Sequence, residues 1–429
     1  MLNLIYNALA LSFLLLASPY FLLRMLITPR FHRGLRERLG FYPSRPAPSD
    51  SIWVQAASVG EVAAAIPLIR RLAENPEGRG VVVTCQTAAG REAARKSLAG
   101  VAEVVLTPLD LGLTIGRFIR SHSPTVLILI ETELWPGLIL ACARNGIPIA
   151  ICNGRISDRS FPRYRAAGFL LRPLLTRISL LAMRSRTDAE RIIRLGAPKQ
   201  RTLVTGNIKY DSISPVDEGR RRDLARRLGL SRESLVIVGG STAAGEELLL
   251  ARSWKILKGK LPDLRLILAP RHLERLPRLL EELKEAGFAP VRLSRLSPGT
   301  IPELVVVDAL GVLYSLYSLA DAVFVGRSLC GQGGQNPIEP AYLEKAIIFG
   351  TGMHNFREDA DGLLEVGGAM LIENSGELPE KLGHLLAHPE LRERMGKAAR
   401  KMADSRRGAT EKNFKLIAAL IRKKQGRKL

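Results

Sequence analysis

The feature that most constrains this chain is an alternation between two hydrophobic patterns, and the alternation occurs twice. From Ser51 onward, short β-branched runs (IWVQAA, VVVTC, TVLILIETELW, IPIAICN, LLAMRS) alternate with longer amphipathic segments such as EVAAAIPLIRRLAE, AGREAARKSLA and PGLILACARNG. Short apolar runs bounded by turn residues make buried strands, and apolar residues spaced near 3.6 make helices. Their alternation predicts a parallel sheet with crossover helices. A charged span from Tyr210 to Glu233 interrupts the strand signals, after which LVIVGG, LRLILAP, ELVVV and AVFVG restart them. The expected architecture is α/β, with two Rossmann-like, doubly wound domains facing a central cleft. The first covers residues 31–210, a linker covers 211–234, and the second covers 235–429. From Ser375 the chain reads as helical and basic, ending KLIAALIRKKQGRKL. The simplest reading of that tail is a solvated helix capping the second domain, with contact to a membrane surface as the alternative.

Ahead of the first sheet, Leu2 to Leu23 contains no charged residue, and as a helix it would span roughly 30 Å of hydrocarbon. Arg24, Arg30, Arg33, Arg36 and Arg38 follow it, which by the positive-inside rule keeps that side in the cytoplasm. An N-terminal hydrophobic anchor over residues 1–30 is therefore expected, with the domains on the cytoplasmic face of a membrane. A signal peptide fits less well, because no Lys or Arg precedes the run and no clear small-residue cleavage site ends it. A helix lying in the interface is the other alternative, given Asn3, Asn7 and Pro19. The chain carries 63 Lys plus Arg against 41 Asp plus Glu, a formal charge of +22, so its exterior attracts phosphates, nucleic acid or anionic membrane. The anchor and the absence of interleaved aromatic and basic RNA-reading motifs argue against nucleic acid. Cys85, Cys142, Cys152 and Cys330 show no metal-type spacing and read as reduced thiols, mostly buried.

Ligands of doubly wound sheets sit beyond the carboxyl ends of the strands, so residues at those ends are the candidates. ASVGEV places Glu61 after the first strand, in the opening turn of a helix whose dipole would keep it ionised. It is either a general base or a helix-stabilising carboxylate. ETELWPG ends TVLILI with Glu131 and Glu133, which share a face if the strand continues that far; capping the Pro136 helix is the alternative. GNIKYD leaves Lys209 near the domain joint, where a lone Lys is ordinarily just solvated. In the second half, Gly239 and Gly240 permit a tight turn, and Ser241 or Thr242 either caps the next helix or meets an anion. Arg271 and His272 follow LRLILAP; Arg grips phosphate in bidentate fashion, while His touches a base or packs. In VFVGRSLCGQGGQNPIEP, Asn336 suits an N-cap, Pro337 the first helical position and Glu339 the capping-box position. FPRYRAAGFLLRPLLTR interleaves Arg163, Arg165, Arg172 and Arg177 with Phe161 and Phe169. That mixture fits acidic, acylated lipid at a membrane surface, or an ordinary helix facing the core.

Taken in order, ASVGE, ETELWP, NGRIS, GNIKYD, GGST with GEE, APRH and GRSLCGQGGQNPIEP behind an apolar N-terminus resemble the Kdo (3-deoxy-D-manno-octulosonic acid) transferases of lipopolysaccharide assembly. The resemblance runs to about Phe356. It implies a GT-B glycosyltransferase that moves Kdo from CMP-Kdo to a phosphorylated, acylated lipid A precursor at the inner membrane, with inversion and with no metal or cofactor. By matching motif it implies Glu61 as general base, with Glu131 and Lys209 stabilising the transition state. CMP contacts would come from Ser241, Thr242, Pro270, Arg271, His272, Leu310, Gly311, Val312, Ser328, Gly334, Asn336, Pro337, Ile338 and Glu339. Ser58, Gly60, Arg155, Arg163 and Arg165 would lie on the acceptor side. Ala243, Val312, Arg327 and Gln335 depart from the pattern, all on the donor side. The rival expectations are a membrane-surface transferase using a UDP-sugar and a catalytically weak relative that binds acidic lipid.

Overall fold

The computed structural model describes residues 34–42, 50–74, 78–424 except 159, 214, 232, 297, 298, 300 and 332, and residue 426. The anchor expected over residues 1–30 lies outside the described residues; among those described, no helix is long and apolar enough to cross a membrane. The chain divides into two units, Met1–Ser212 with Arg407–Leu429, and Ile213–Arg406.

The first unit runs α1 (Leu35–Arg38), β1 (Ser51–Gln55), α2 (Val59–Ala73), β2 (Val81–Cys85), α3 (Ala88–Ser97), β3 (Glu103–Leu106), α4 (Gly112–His122), β4 (Pro124–Ile130), α5 (Pro136–Arg144), β5 (Ile149–Gly154), α6 (Phe161–Ala166), α7 (Gly168–Leu175), β6 (Leu180–Met183), α8 (Arg186–Arg194) and β7 (Thr202–Val204). All strand pairs are parallel, in the order β3-β2-β1-β4-β5-β6-β7. Alternate side chains leave opposite faces of a strand. Ile52 and Val54 of β1 with Val126, Ile128 and Ile130 of β4 therefore join α2 and α3 in one core layer. Trp53, Leu127 and Leu129 join α4, α5, α7 and α8 in the other. Strand order reverses between β1 and β4, the position where such sheets receive ligands.

The second unit runs α9 (Glu218–Arg227), β8 (Leu235–Thr242), α10 (Glu246–Lys258), β9 (Leu264–Pro270), α11 (Leu276–Glu285), β10 (Val291–Arg292), β11 (Leu304–Val306), α12 (Leu313–Leu319), β12 (Ala322–Val325), α13 (Ile338–Tyr342), β13 (Ala346–Gly350), α14 (Arg357–Glu365), β14 (Ala369–Ile372), α15 (Leu378–Ala387) and α16 (Pro389–Ser405). Its parallel sheet has the order β10-β11-β9-β8-β12-β13-β14, with the reversal between β8 and β12.

Three expectations about organisation are corrected. The span expected as a linker contains α9, which packs on α12 of the second unit and buries Leu224. The tail does not cap the second unit: α17 (Ala409–Lys424) belongs to the first, where Ile417 and Ile421 are buried in the layer that contains α2. Its basic residues had masked an apolar stripe at spacing four. The sheets are also wider than the strand signals indicated, by β3, β7, β10, β13 and β14. Cys85, Cys142 and Cys152 are buried free thiols, and Cys330 is an exposed one.

Candidate active site

In the first unit, Ser58 is the N-cap of α2: its extended backbone (φ −121°, ψ 167°) turns the hydroxyl onto the Glu61 N–H. The Ser58 hydroxyl also donates to one Glu61 carboxylate oxygen at 2.8 Å, while the Ala57 N–H donates to the other at 2.7 Å. This capping-box arrangement folds the Glu61 carboxylate back toward the carboxyl end of β1. Glu61 is not held strongly acidic, as the helix dipole alone would dictate. Burial raises its pKa, the two hydrogen bonds oppose that, and the nearby charges of Glu131 and Glu133 raise it further. A carboxylate tuned upward is a better proton acceptor near neutral pH.

Beside it, β4 stops at Ile130, and Glu131 turns into the left-handed region (φ 61°). Glu131 and Glu133 therefore do not extend a strand face. The Glu131 N–H donates to the carbonyl of Cys152 at 2.9 Å. Thr132 exchanges two bonds with Arg155: its hydroxyl donates to the Arg155 carbonyl at 2.6 Å and accepts the Arg155 N–H at 2.8 Å. Glu133 accepts the indole N–H of Trp135 at 2.7 Å, and burial raises its pKa. The Pro136 helix, α5, is capped by neither glutamate. Asp110 accepts the Gly137 and Leu138 N–H groups at 2.9 and 2.7 Å.

Lys209 is not a lone solvated lysine. It sits in a short helical turn, Ile208–Tyr210, whose Asn207 side chain accepts the Lys209 N–H. Its ammonium donates to Glu131 at 3.1 Å, with both side chains only about a quarter exposed (26% and 24%). The fold thus brings Glu61, Glu131, Glu133 and Lys209 together at the β1/β4 reversal. Gly60 is exposed in the first turn of α2, and Arg163 and Arg165 are exposed on α6. The following helix α7 serves both readings of its sequence, because Leu171, Leu174 and Leu175 are buried while Phe169 remains 77% exposed.

In the second unit, β8 ends at Ser241–Thr242, where Ser241 has φ 53° and the register with β9 shifts. Neither residue caps α10. The Thr242 hydroxyl donates to Glu247 at 3.0 Å, and Gly245 (φ 92°) precedes the helix. Pro270 is buried at the end of β9, and the Arg271 N–H donates to the Thr242 carbonyl at 3.0 Å, leaving the Arg271 side chain exposed. His272 lies 3.2 Å from Glu274 at the surface. Leu310 is 81% exposed, Gly311 (φ 76°) offers its carbonyl to Arg220, and Val312 precedes α12.

The loop after β12 contains left-handed residues at Arg327, Gly331, Gly333 and Gly334. A Cβ on Gly326 would lie 2.5 Å from the backbone of Ser241 and Thr242, so glycine lets the ends of β8 and β12 approach. Ser328 is fully buried, and its hydroxyl donates to Val325 and accepts from Gly350, so that group is engaged within the protein. The helix here starts one residue later than the capping pattern predicts: α13 opens at Ile338 after Pro337, with Asn336 accepting the Ile338 N–H at 3.1 Å. The amide of Asn336 donates to Glu339 at 3.4 Å, and burial raises the Glu339 pKa. Sequence reasoning missed Glu246, whose carboxylate is wholly buried. The signal for it was an acidic pair opening a helix directly after a glycine-rich strand end. Among the described residues, no three His, Cys, Asp or Glu side chains are grouped to hold a metal ion.

Two parallel-sheet α/β units, each with its polar residues gathered where strand order reverses, define a GT-B-like protein. Solved structures agree. The UDP-GlcNAc 2-epimerase from Neisseria meningitidis matches with a TM-score of 0.61 at 13% identity, over 86% of this chain and 100% of that one. A glycosyltransferase from Rickettsia africae matches with a TM-score of 0.59 at 12% identity, over 88% and 99%. At such identities the likeness is one of fold. The particular family comes from sequence. The family model for 3-deoxy-D-manno-octulosonic-acid transferase matches residues 33–212. The 3-deoxy-D-manno-octulosonic acid transferase of Haemophilus influenzae is 34% identical over 95% of this chain and 96% of its own, and that of Bordetella pertussis is 30% identical over 86% and 87%. The chain belongs to the Kdo transferase family and is a glycosyltransferase.

Proposed function

We propose that this enzyme transfers Kdo from CMP-Kdo to a phosphorylated, acylated lipid A precursor (lipid IVA) in lipopolysaccharide assembly, with inversion and without a metal. The observation that carries this reading is the Glu61 carboxylate, tuned upward and turned back over the β1/β4 reversal beside the Glu131–Lys209 pair. Glu61 takes the proton of the acceptor hydroxyl as that oxygen bonds to the anomeric carbon of Kdo. The bond from that carbon to CMP breaks, and its electron pair leaves on the phosphate oxygen. Lys209, oriented by Glu131, stabilises charge developing in the transition state. In the second unit, the exposed guanidinium of Arg271 meets the CMP phosphate, and Glu339, oriented by Asn336, accepts hydrogen bonds from ribose hydroxyls.

Residues 1–30 anchor the enzyme at the cytoplasmic face of the inner membrane. What supports that role is their uncharged apolar run and the arginines after it. The +22 charge and the exposed Arg163, Arg165 and Phe169 suit the phosphates and acyl chains of the acceptor. Purified enzyme incubated with CMP-Kdo and lipid IVA should release CMP and yield a product heavier by one or more Kdo units. Transfer from a UDP-sugar instead, or acceptor binding without CMP release, would overturn the reading.

A further inference from the structure

The carboxylate of Glu246, the first residue of α10, accepts N–H groups from two separate loops. One oxygen receives the N–H of Ala243 at 2.8 Å and of Arg327 at 2.7 Å; the other receives those of Ser328 at 2.9 Å and Leu329 at 3.0 Å. The side chain is 0% exposed. Ala243 follows β8 and Arg327–Leu329 follow β12, so the cluster sits at the reversal of strand order, where converging backbone N–H groups ordinarily receive an anionic ligand. Here the anion is supplied by the chain. A buried carboxylate is tolerable only when fully hydrogen-bonded, and N–H bonds to a charged acceptor are the stronger kind.

Backbone strain lies at the end of β8 and in the loop after β12. Ser241 and Arg327 are non-glycine residues at φ 53° and 60°, a left-handed conformation that L side chains rarely adopt. Arg327 donates to Glu246 directly, and Ser241 lies two residues before Ala243. Beyond them run Gly331 to Gly334 and the Asn336–Glu339 segment. Of the described residues there, Gly331, Gly333 and Gly334 lie outside helix and strand, and the Gly334 N–H donates to the Arg327 carbonyl at 3.0 Å.

We propose that Glu246 is a positioning residue. Its carboxylate occupies the place of an anionic ligand, clamps the loops after β8 and β12 to each other, and pre-forms the nucleotide-binding surface before any donor arrives. The consequence for the donor rests on reading this unit as the CMP-Kdo domain. In Glu246→Gln one acceptor oxygen becomes an N–H₂ donor facing N–H groups, with little change of volume.

The expected result is a folded variant in which the Ser328 and Leu329 amides exchange with solvent at least tenfold faster than in wild type. Its CMP dissociation constant and KM for CMP-Kdo should rise about tenfold or more, while kcat changes much less. In Glu246→Ala, formate should restore part of the CMP affinity and chloride should not. Wild-type exchange rates, CMP affinity within twofold of wild type, or failure of both variants to fold would each overturn the positioning role. If wild type itself does not bind CMP, the donor reading fails, while the exchange measurement still decides whether Glu246 orders the loop.

Discussion

The Lys209 ammonium lies 3.1 Å from the Glu131 carboxylate across 78 residues of sequence. One partner follows the end of β4 in a left-handed backbone; the other rides a short helical turn after β7. If Glu131 acts by orienting Lys209, their effects share one interaction. Glu131→Gln and Lys209→Met should each lower kcat by about 10²-fold, with CMP affinity within twofold of wild type. The double variant should lose markedly less than the product of the two, because contacting residues are not additive. Strict multiplicativity in steady-state kinetics would show that the pair does not act as a unit.

The acid limb of the pH–rate profile should lie above the ordinary carboxylate value of 4.5, since burial and the charges of Glu131 and Glu133 raise the Glu61 pKa. Activity requires the ionised form, so rate falls as pH drops through that raised value. Glu133→Gln removes one of the charges that disfavour ionisation, and the limb should move to lower pH. An unmoved or upward-moving limb would contradict the coupling.

The same shift has a sign for stability. A carboxyl group whose folded pKa is raised contributes stability below its unfolded pKa and loses it as pH rises through the folded value. Glu61→Gln cannot ionise, so its melting temperature relative to wild type should increase from acid toward neutral pH. Transfer should be abolished and CMP binding retained. A melting difference that is flat with pH would refute the raised pKa.

Asp211 accepts the N–H groups of Gly408 and Thr410 at 2.7 and 2.6 Å, two residues from Lys209. It anchors the start of α17, whose Ala409 packs on Ile208 and Ala64. Asp211→Ala should cost about 1–2 kcal/mol in denaturant unfolding. It should also lower kcat, because the turn carrying Lys209 loses its brace. Truncation at Arg406 uncovers the layer that buries Ile417 and Ile421 and should yield no soluble protein.

Gly326→Ala sets a methyl group 2.5 Å from the backbone of Ser241 and Thr242. Such overpacking against main chain should cost about 1–3 kcal/mol and should weaken CMP binding by parting β8 from β12. Gly311→Ala meets no atom within 4 Å, although its φ of 76° carries strain; it should reduce CMP affinity less. The reverse order in a thermal-shift titration with CMP would place the nucleotide away from the β8/β12 ends.

The strands that were legible were distinct apolar runs, some long, such as PTVLILI of β4 and LRLILAP of β9, and some short, such as LLAM of β6, LVV of β11 and AVFV of β12. β3, β7, β10 and β14, two to four residues long, offered no apolar run that stood apart from its neighbours, and so few residues carry no periodicity. β13 follows α13 closely, so its AIIFG merges with apolar helix. The tail was misassigned because charge marks an exposed face but does not reveal which sheet receives the buried one. Glu61 and Glu131 were legible as candidates from their places near strand ends, whereas Lys209, near the domain joint, was a candidate only through the GNIKYD motif of the family resemblance. Their states were not: the helix dipole argued for an acidic Glu61, whereas burial beside two other carboxylates raises it.

The sequence alone determined the alternation that makes two parallel sheets, and hence the strand ends where chemistry gathers, because hydrophobic period is a local property. It also carried the family, through ordered motifs spaced along the chain. Only the tertiary structure decided that Lys209 has a partner, that α17 returns to the first sheet, and that a buried carboxylate fills the N–H cluster at the β8/β12 reversal. Each of these depends on groups distant in sequence meeting in a low-dielectric interior, where an unpaired charge is costly and a paired one sets geometry.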